Sequence, residues 1–232
     1  MAKSTWMLRF ARWHIWLGWL VGVPIVMWMA TGLVMVARPI DEVRGNHLRI
    51  QQPQEALPPD TAIEVALPNN NERPVKSVRT AMLSGQPVTT IEYLDGALER
   101  FSKTGARLPP LNEIEARVIV AEQIVGGDQI AAITAFEADR VPFDFRRPIP
   151  VWQVELEGGA RIYVGRETGQ IEAIRTRWWR LFDFVWGLHI MDLQTREDTS
   201  HPVLILFAAL GLIGSLLGTT LMFRRRKAAV RA

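Results

Sequence analysis

The chain has 232 residues, a formal net charge of +3 and no cysteine. The absence of cysteine excludes disulfides, thiolate metal sites, thioether-linked haem and iron–sulfur clusters. The basic excess gives no reason to expect a nucleic-acid partner, because eight Lys and Arg residues lie in two terminal segments that contain no acid.

The first long hydrophobic segment runs from Trp13 to Ala37 and contains 25 residues without Asp, Glu, Lys or Arg. At about 1.5 Å per residue, a helix of this length crosses a hydrocarbon core of about 30 Å. The apolar stretch is long for a signal peptide, and Met35-Val36-Ala37 lacks the small residue expected three positions before a cleavage site. We therefore predict an uncleaved transmembrane helix over 13–37, preceded by a cytoplasmic tail over 1–12.

Residues 38–177 are predicted to form an extracytoplasmic domain with a duplicated hairpin unit. After an extended connector over 51–74, two similar passages follow at 87–101 and 150–164, with Pro, Glu, Gly and Ala matching at an offset of 63 residues. Each passage alternates apolar and polar residues about a glycine-containing turn, which is typical of half-buried hairpins.

Between the two hairpins, residues 111–125 have the apolar spacing of a helix and residues 129–136 have the pattern of a strand. The predicted fold class is therefore a membrane protein of α+β type. Two transmembrane helices flank a domain in which a helix packs on antiparallel hairpins.

Residues 178–200 are predicted to form an amphipathic helix and loop at the outer membrane interface. At helical spacing one broad apolar face contains Trp178, Leu181, Phe182, Val185, Leu188 and His189. A helix of this kind lies in the plane of the membrane surface.

The second hydrophobic segment is 203–223, and a basic tail over 224–232 follows it. The two tails carry +8 and the intervening loop carries −5, so the positive-inside bias places both termini in the cytoplasm. We expect a bacterial inner-membrane protein with its central domain in the periplasm and its tails against anionic lipid.

Both hydrophobic segments carry a GxxxG pattern, Gly18 to Gly22 in the first and Gly214 to Gly218 in the second. Such glycine faces allow helices to approach closely in a membrane. Two helices can hardly enclose a macrocycle, whereas four helices can form a bundle with a pocket. We therefore predict a homodimer of four spans or a pairing with another two-span subunit.

Several short motifs resemble known families. The run Trp152…Tyr163-Val164…Thr168-Gly169 resembles the PepSY domain. A second resemblance is to the PepSY-associated transmembrane helix family. It rests on three motifs: Arg12-Trp13-His14-x-Trp16-x-Gly18, Thr31-Gly32 and Leu188-His189. The resemblance covers most of the chain and implies a role beside iron and siderophore uptake, where some members are haem-containing ferric-siderophore reductases. Better-known reductases of this kind have four spans, whereas this chain has two.

His14 is the first candidate haem ligand. An ionisable residue inside a membrane segment is costly, and neutral imidazole is a common haem ligand. Gly18 and Gly22 follow at one-turn intervals and clear one helix face for a macrocycle or a neighbouring helix. The alternative is a histidine at headgroup level, held by lipid phosphate.

His189 is the second candidate haem ligand, and its alternative role is a polar position on a surface helix. Trp28 lies mid-span, away from the aromatic belt, and suits a macrocycle or helix contact. His201 is a weaker cofactor candidate that could share an iron with His189, or a metal with Asp192 and Asp198. His47 is expected to be solvated.

The function that we predict is a haem b-binding inner-membrane protein that transfers electrons to an extracytoplasmic acceptor of the ferric-chelate type. It would be a membrane oxidoreductase or a subunit of one. The alternative is a non-catalytic accessory protein whose PepSY-like domain binds a partner. Because His14 and His189 lie near opposite membrane faces, we expect two haems in a dimer, one held by His14 from each chain and one by His189 with its mate or His201.

Overall fold

The structure is a computed structural model that describes residues 2–51, 53, 55–59, 61, 64, 73–83 and 85–229. The chain divides into two compact units, which we call the helical unit (Met1–Pro39 with Arg180–Ala232) and the sheet unit (Ile40–Trp179). The sheet unit is one continuous stretch of chain, whereas the helical unit combines the two ends.

The helices, in chain order, are α1 (Ala2–Val36), α2 (Ile40–Val43), α3 (Glu113–Gln123), α4 (Arg177–His189) and α5 (Pro202–Ala229). Among the described residues, two stretches are long and apolar enough to cross a membrane, Trp6–Val36 with 31 residues and Pro202–Phe223 with 22. These stretches overlap both predicted spans.

The helices extend beyond the predicted spans at their charged ends. α1 begins at Ala2, so residues 2–12 of the predicted tail continue the helix and are not a separate segment. α5 likewise continues through Ala229, into the predicted tail over 224–232. Lys and Arg have good helix propensity, and no Gly or Pro interrupts either extension, so the backbone has no reason to stop at the membrane boundary.

Within the helical unit, glycines of α5 face α1 of the same chain. A Cβ atom at Gly211 would lie 3.6 Å from Ile25 Cδ1, and one at Gly214 would lie 3.9 Å from Leu17 Cβ. The α1 contact moves backwards along the chain as the α5 position advances, so the two helices are antiparallel. The α5 glycine face therefore serves the helix pair of one chain, while a Cβ at Gly18 or Gly22 would meet nothing within 4 Å.

In its described residues, the sheet unit has two four-stranded antiparallel sheets, each with its strands in sequence order. The strands are β1 (Val75–Leu83), β2 (Gln86–Tyr93), β3 (Leu98–Ser102), β4 (Arg107–Leu108), β5 (Ile130–Phe136), β6 (Val151–Leu156), β7 (Arg161–Gly165) and β8 (Ile171–Arg175). The predicted hairpins correspond to β2–β3 and β6–β7, and the predicted strand over 129–136 is β5. Most of the predicted connector over 51–74 lies outside the described residues.

The two sheets repeat one register. Val88 pairs with Ser102 in the first sheet, and Val151 pairs with Gly165 in the second, so both partners are displaced by 63 residues. The hairpin turns also correspond, because Gly96 and Gly159 both adopt positive φ, 84° and 75° respectively. A left-handed residue at this place closes the turn, and glycine adopts that conformation without steric cost.

Helix α3 covers the second sheet by packing on β6 and β7. The core between them consists of buried aliphatic residues: Leu111, Ala116, Ile119, Val120, Ile124, Val154, Leu156, Ile162, Val164, Ile171 and Ile174. The helix begins with a capping box in which Asn112 Oδ1 accepts from Glu115 N at 2.9 Å and Asn112 N donates to Glu115 Oε2 at 2.8 Å. This cap ends the preceding loop at the residue where the buried face of α3 begins.

Replacing the cap tests this account of α3. Asn112→Ala removes the side-chain acceptor and should lower the free energy of unfolding by about 1 kcal/mol. Asn112→Ser keeps an acceptor and should cost much less, as measured by chemical denaturation of the full chain in detergent. Equal losses in the two variants would contradict the capping role.

Candidate functional site

His14 lies in the contact between α1 and α5. Its Nδ1 is 3.0 Å from the backbone carbonyl oxygen of Gly214. The ring lies on Gly218, since a Cβ atom there would be only 2.7 Å from His14 Cε1 and 3.2 Å from His14 Nε2. A bulkier residue than glycine would displace the imidazole, so α5 provides both a hydrogen-bond acceptor and a flat seat for this ring.

An apolar groove runs along α1 beside His14. It has a volume of about 760 Å³ and is lined by His14, Ile15, Gly18, Trp19, Gly22, Val23, Val26 and Met27. All of these residues belong to α1, and the two glycines leave room that any side chain would occupy. The groove is therefore an open helix face with one imidazole at its end, and its size is that of a typical ligand pocket.

His189, at the carboxyl end of α4, rests on three neighbouring residues of α1. Its Nδ1 is 3.0 Å from Thr31 Oγ1. Its ring stacks on Trp28, with centroids 5.3 Å apart and an interplanar angle of 27°. A Cβ atom at Gly32 would lie 3.6 Å from His189 Cε1, so this glycine also leaves space for the ring. Trp28 in turn lines a second apolar cavity of about 380 Å³ between α1 and α5.

The surroundings of His189 favour the neutral imidazole. Burial lowers the pKa of His189, and a hydrogen bond to the backbone carbonyl of Trp28 partly opposes that shift. Thr31, its hydrogen-bond partner, is only 7% exposed. Neutral imidazole is the form that binds metal ions.

The loop that follows α4 is folded back on the helix and holds its end in place. Arg196 Nη1 donates to Asp183 Oδ2 at 2.6 Å, and Trp186 Nε1 donates to the Arg196 carbonyl oxygen at 3.1 Å. Gly187 makes the crossing possible, because a Cβ atom there would lie 2.7 Å from Arg196 Cγ. These contacts restrain the last turn of α4, on which His189 is carried.

Asp192 organises the same loop through its carboxylate. Its carboxylate accepts from the Thr195 hydroxyl and from the backbone N–H groups of Gln194, Thr195, Glu197 and Asp198. The Thr195 hydroxyl is the largest cause that lowers the pKa of Asp192. Among the described residues no group of three or more His, Asp or Glu side chains could hold a metal ion, so the metal alternative with Asp198 and His201 is not supported.

The two remaining histidines are not brought to this site. His47 is exposed, as expected for a solvated residue. His201 has a buried Nδ1 without a hydrogen-bond partner in the described part of the chain. Among the described residues, no hydrogen bond or ring contact joins His201 to His189.

The structure places the two main candidates at separate positions along α1. His14 belongs to α1 itself, and His189 contacts the helix at Thr31, which is 17 residues further along the chain. At the rise of an α-helix this separation is about 25 Å. Imidazoles so far apart cannot both bind one iron atom.

Comparison with known proteins assigns the chain to a family. The family model of the PepSY-associated TM region matches residues 11–232, which include most of α1, the whole sheet unit and α5. The chain belongs to that family. It is a membrane protein, in agreement with its two apolar helices. No curated protein and no solved structure matches the chain.

Two contributions to the site in this family member were missed by sequence reasoning. Thr31 was noted only as part of a motif, although it and His14 are the only residues with polar side chains other than Trp between 13 and 37. A lone hydroxyl in such a segment was the available signal. Gly218 was assigned to contacts between chains, and nothing local indicates that it seats His14.

Substituting the α5 glycines tests the His14 seat. Gly218→Ala places a Cβ against the ring and should lower the free energy of unfolding by about 1–3 kcal/mol, which is typical of overpacking. Gly214→Ala is the matched control, because its Cβ would lie 3.9 Å from the nearest atom and the carbonyl acceptor remains. Thermal unfolding in detergent measures both, and a Gly218→Ala variant as stable as Gly214→Ala would contradict the seat.

Proposed function

We propose that this protein binds haem b in the bacterial inner membrane and transfers electrons to an extracytoplasmic acceptor of the ferric-chelate class. The observation that carries the proposal is the groove beside His14. There an imidazole whose Nδ1 is already engaged by Gly214 adjoins an apolar, glycine-cleared helix face.

The residues present fit a haem at this place. Metal-bound histidines commonly use their second ring nitrogen for a hydrogen bond to a backbone carbonyl, as His14 does with Gly214. Among the described residues, no hydrogen bond engages His14 Nε2. Gly18 and Gly22 leave the adjoining face open to a flat ligand, and the side chains along that face are mostly apolar.

His189 is the residue proposed to hold a second haem, near the other end of α1. It has the same arrangement, with Nδ1 engaged by Thr31 and the ring stacked on Trp28. Haem, when bound, supplies reversible one-electron exchange at iron. The chain's own contribution is to orient the imidazoles and to provide an apolar environment at two depths along α1.

A second copy of the chain is proposed to complete the inner site. The groove is lined by α1 alone and is open on its other side, so one chain provides one imidazole and one wall. A homodimer would add His14 of the partner subunit and would convert two spans into a four-helix arrangement. The outer haem would be held by His189 with its mate or with His201.

The proposed orientation follows from the charge distribution. The basic tails are in the cytoplasm, and the net-acidic segment between the spans is outside. The site at His14 then lies towards the cytoplasm, and the site at His189 lies towards the acceptor.

Histidine substitution tests haem binding. His14→Ala and His189→Ala should each reduce the haem content per chain and alter the b-type α band of the dithionite-reduced protein, because each removes an axial nitrogen. His47→Ala is the control, since His47 is exposed and belongs to the sheet unit. Haem content and spectrum are measured on protein purified from haem-replete cells.

Two results would overturn the proposal in different ways. A colourless wild-type protein would favour the non-catalytic accessory role, in which the helices only anchor a partner-binding domain. A haem-loaded protein whose spectrum survives both substitutions would show that other residues hold the iron.

Filling the groove tests the inner site and the dimer together. Gly18→Leu places a side chain where nothing lies within 4 Å, so the helix pair of one chain should remain stable. The same side chain should block a haem or a second copy and reduce the haem content several-fold. Leu20→Phe, at an exposed α1 position outside the groove, is the control. Haem content and particle mass in mild detergent are measured, and a haem-loaded monomer would contradict the four-helix arrangement.

A further inference from the structure

The hydroxyl of Thr31 has only one proton, and the structure indicates where it points. Thr31 Oγ1 is 2.9 Å from the carbonyl oxygen of Met27 and 2.9 Å from that of Trp28. Both groups can only accept, so the hydroxyl donates towards its own helix, as Thr residues in helices often do. If the proton pointed elsewhere, oxygen lone pairs would face each other at hydrogen-bond distance in a buried place.

His189 must then donate to Thr31. Because the hydroxyl proton is used within α1, Thr31 Oγ1 offers a lone pair to His189 Nδ1, which lies 3.0 Å away. That contact is favourable only when Nδ1 carries the ring proton. A neutral imidazole has one such proton, so Nε2 is then an unprotonated acceptor.

The same tautomer follows independently for His14. Its Nδ1 faces the carbonyl oxygen of Gly214, which can only accept, so Nδ1 again carries the proton. Two histidines on different helices are thus held with Nε2 free, one by a backbone group and one by a side chain. Only the side chain can be altered by substitution without moving the backbone.

We propose that Thr31 is a positioning residue that holds His189 in the Nδ1–H tautomer and so keeps Nε2 available to bind iron. The inference rests on the proposed function for the identity of the group bound by Nε2, but the tautomer itself does not depend on it. Trp28 and Gly32 set the plane of the ring. The Trp28 carbonyl also accepts from His189, and because a neutral imidazole has one proton, the hydroxyl and this carbonyl together hold that proton on Nδ1.

The tautomer is measured directly on the full chain without added haem. Nitrogen-15 NMR of protein labelled only in histidine distinguishes protonated from unprotonated ring nitrogens, and His189→Asn assigns the His189 signals among four histidines. Wild-type protein should show His189 with a protonated Nδ1 and an unprotonated Nε2. A wild-type His189 protonated at Nε2 would overturn the inference without any variant.

Two substitutions then assign the effect to the hydroxyl. Thr31→Val has nearly the same shape and no hydroxyl, so the Nδ1–H tautomer keeps only the Trp28 carbonyl as acceptor and a fraction of the Nε2–H tautomer should appear. Thr31→Ser keeps the hydroxyl and should restore the wild-type signals. The His14 signals, which depend on Gly214, should stay unchanged in both variants. A Thr31→Val variant with an unaltered His189 tautomer would overturn the role of Thr31.

Haem titration separates this inference from the proposed function. If both are correct, Thr31→Val should weaken binding at the His189 site by about 10–100-fold, and Thr31→Ser should recover most of it. If the wild-type tautomer is as inferred and no haem binds, the proposed function fails while the tautomer stands. If haem binds equally well to Thr31→Val, the hydroxyl does not serve ligand binding and the positioning role fails.

Discussion

The helical unit depends on one constraint, which is that a polar ring placed against a membrane helix must find its hydrogen-bond partner inside the protein. Lipid tails have no hydrogen-bonding groups, and an unsatisfied polar group in such an apolar medium costs on the order of several kcal/mol. His14 meets the constraint through the Gly214 carbonyl, and His189 meets it through Thr31. Each of these hydrogen bonds also joins two helices, so the same contact satisfies the ring nitrogen and stabilises the packing of the helices.

Glycine makes these contacts possible by leaving space for a ring. The His14 ring lies on Gly218, and the His189 ring lies beside Gly32. In both places the imidazole takes the room that a side chain would fill, which brings its Nδ1 to an acceptor on the facing helix. Gly18 and Gly22 leave similar room that the chain itself does not fill, and an apolar groove of about 760 Å³ forms there. Glycine residues in this protein therefore have two effects. Gly218 and Gly32 leave space for imidazole rings of the same chain, and Gly18 and Gly22 leave one face of α1 open.

The sheet unit depends on local sequence patterns, and its two sheets are meanders with the same strand order and corresponding register. The repeated register and the paired left-handed glycines show that turn chemistry and strand alternation are sufficient to specify each hairpin. The second copy carries α3 and the buried aliphatic core, whereas the first has its own buried residues along β2. The two meanders thus share a backbone pattern and differ in what covers them.

Much of this architecture is determined by the sequence alone. Span length and hydropathy are properties of contiguous residues, and hairpin alternation about Gly96 and Gly159 is equally local, so α1, α5 and the central hairpins were predictable. The outer strands β1, β4 and β8 were not predicted, because their pattern is weaker than that of the hairpins. The extent of α1 and α5 was underestimated because the end of a hydrophobic segment does not end a helix.

For the candidate site too, the sequence determines one part and the tertiary structure decides the other. The sequence identifies His14 and His189 as costly residues for a membrane segment and its surface, and it places them near different faces. It does not reveal that His14 meets Gly214, 200 positions away, or that His189 meets Thr31, 158 positions away. Those partners, and with them the tautomer of each ring, were decided only by how α5 and α4 pack on α1. Packing of this kind depends on the shapes of facing surfaces, which neither hydropathy nor local spacing records.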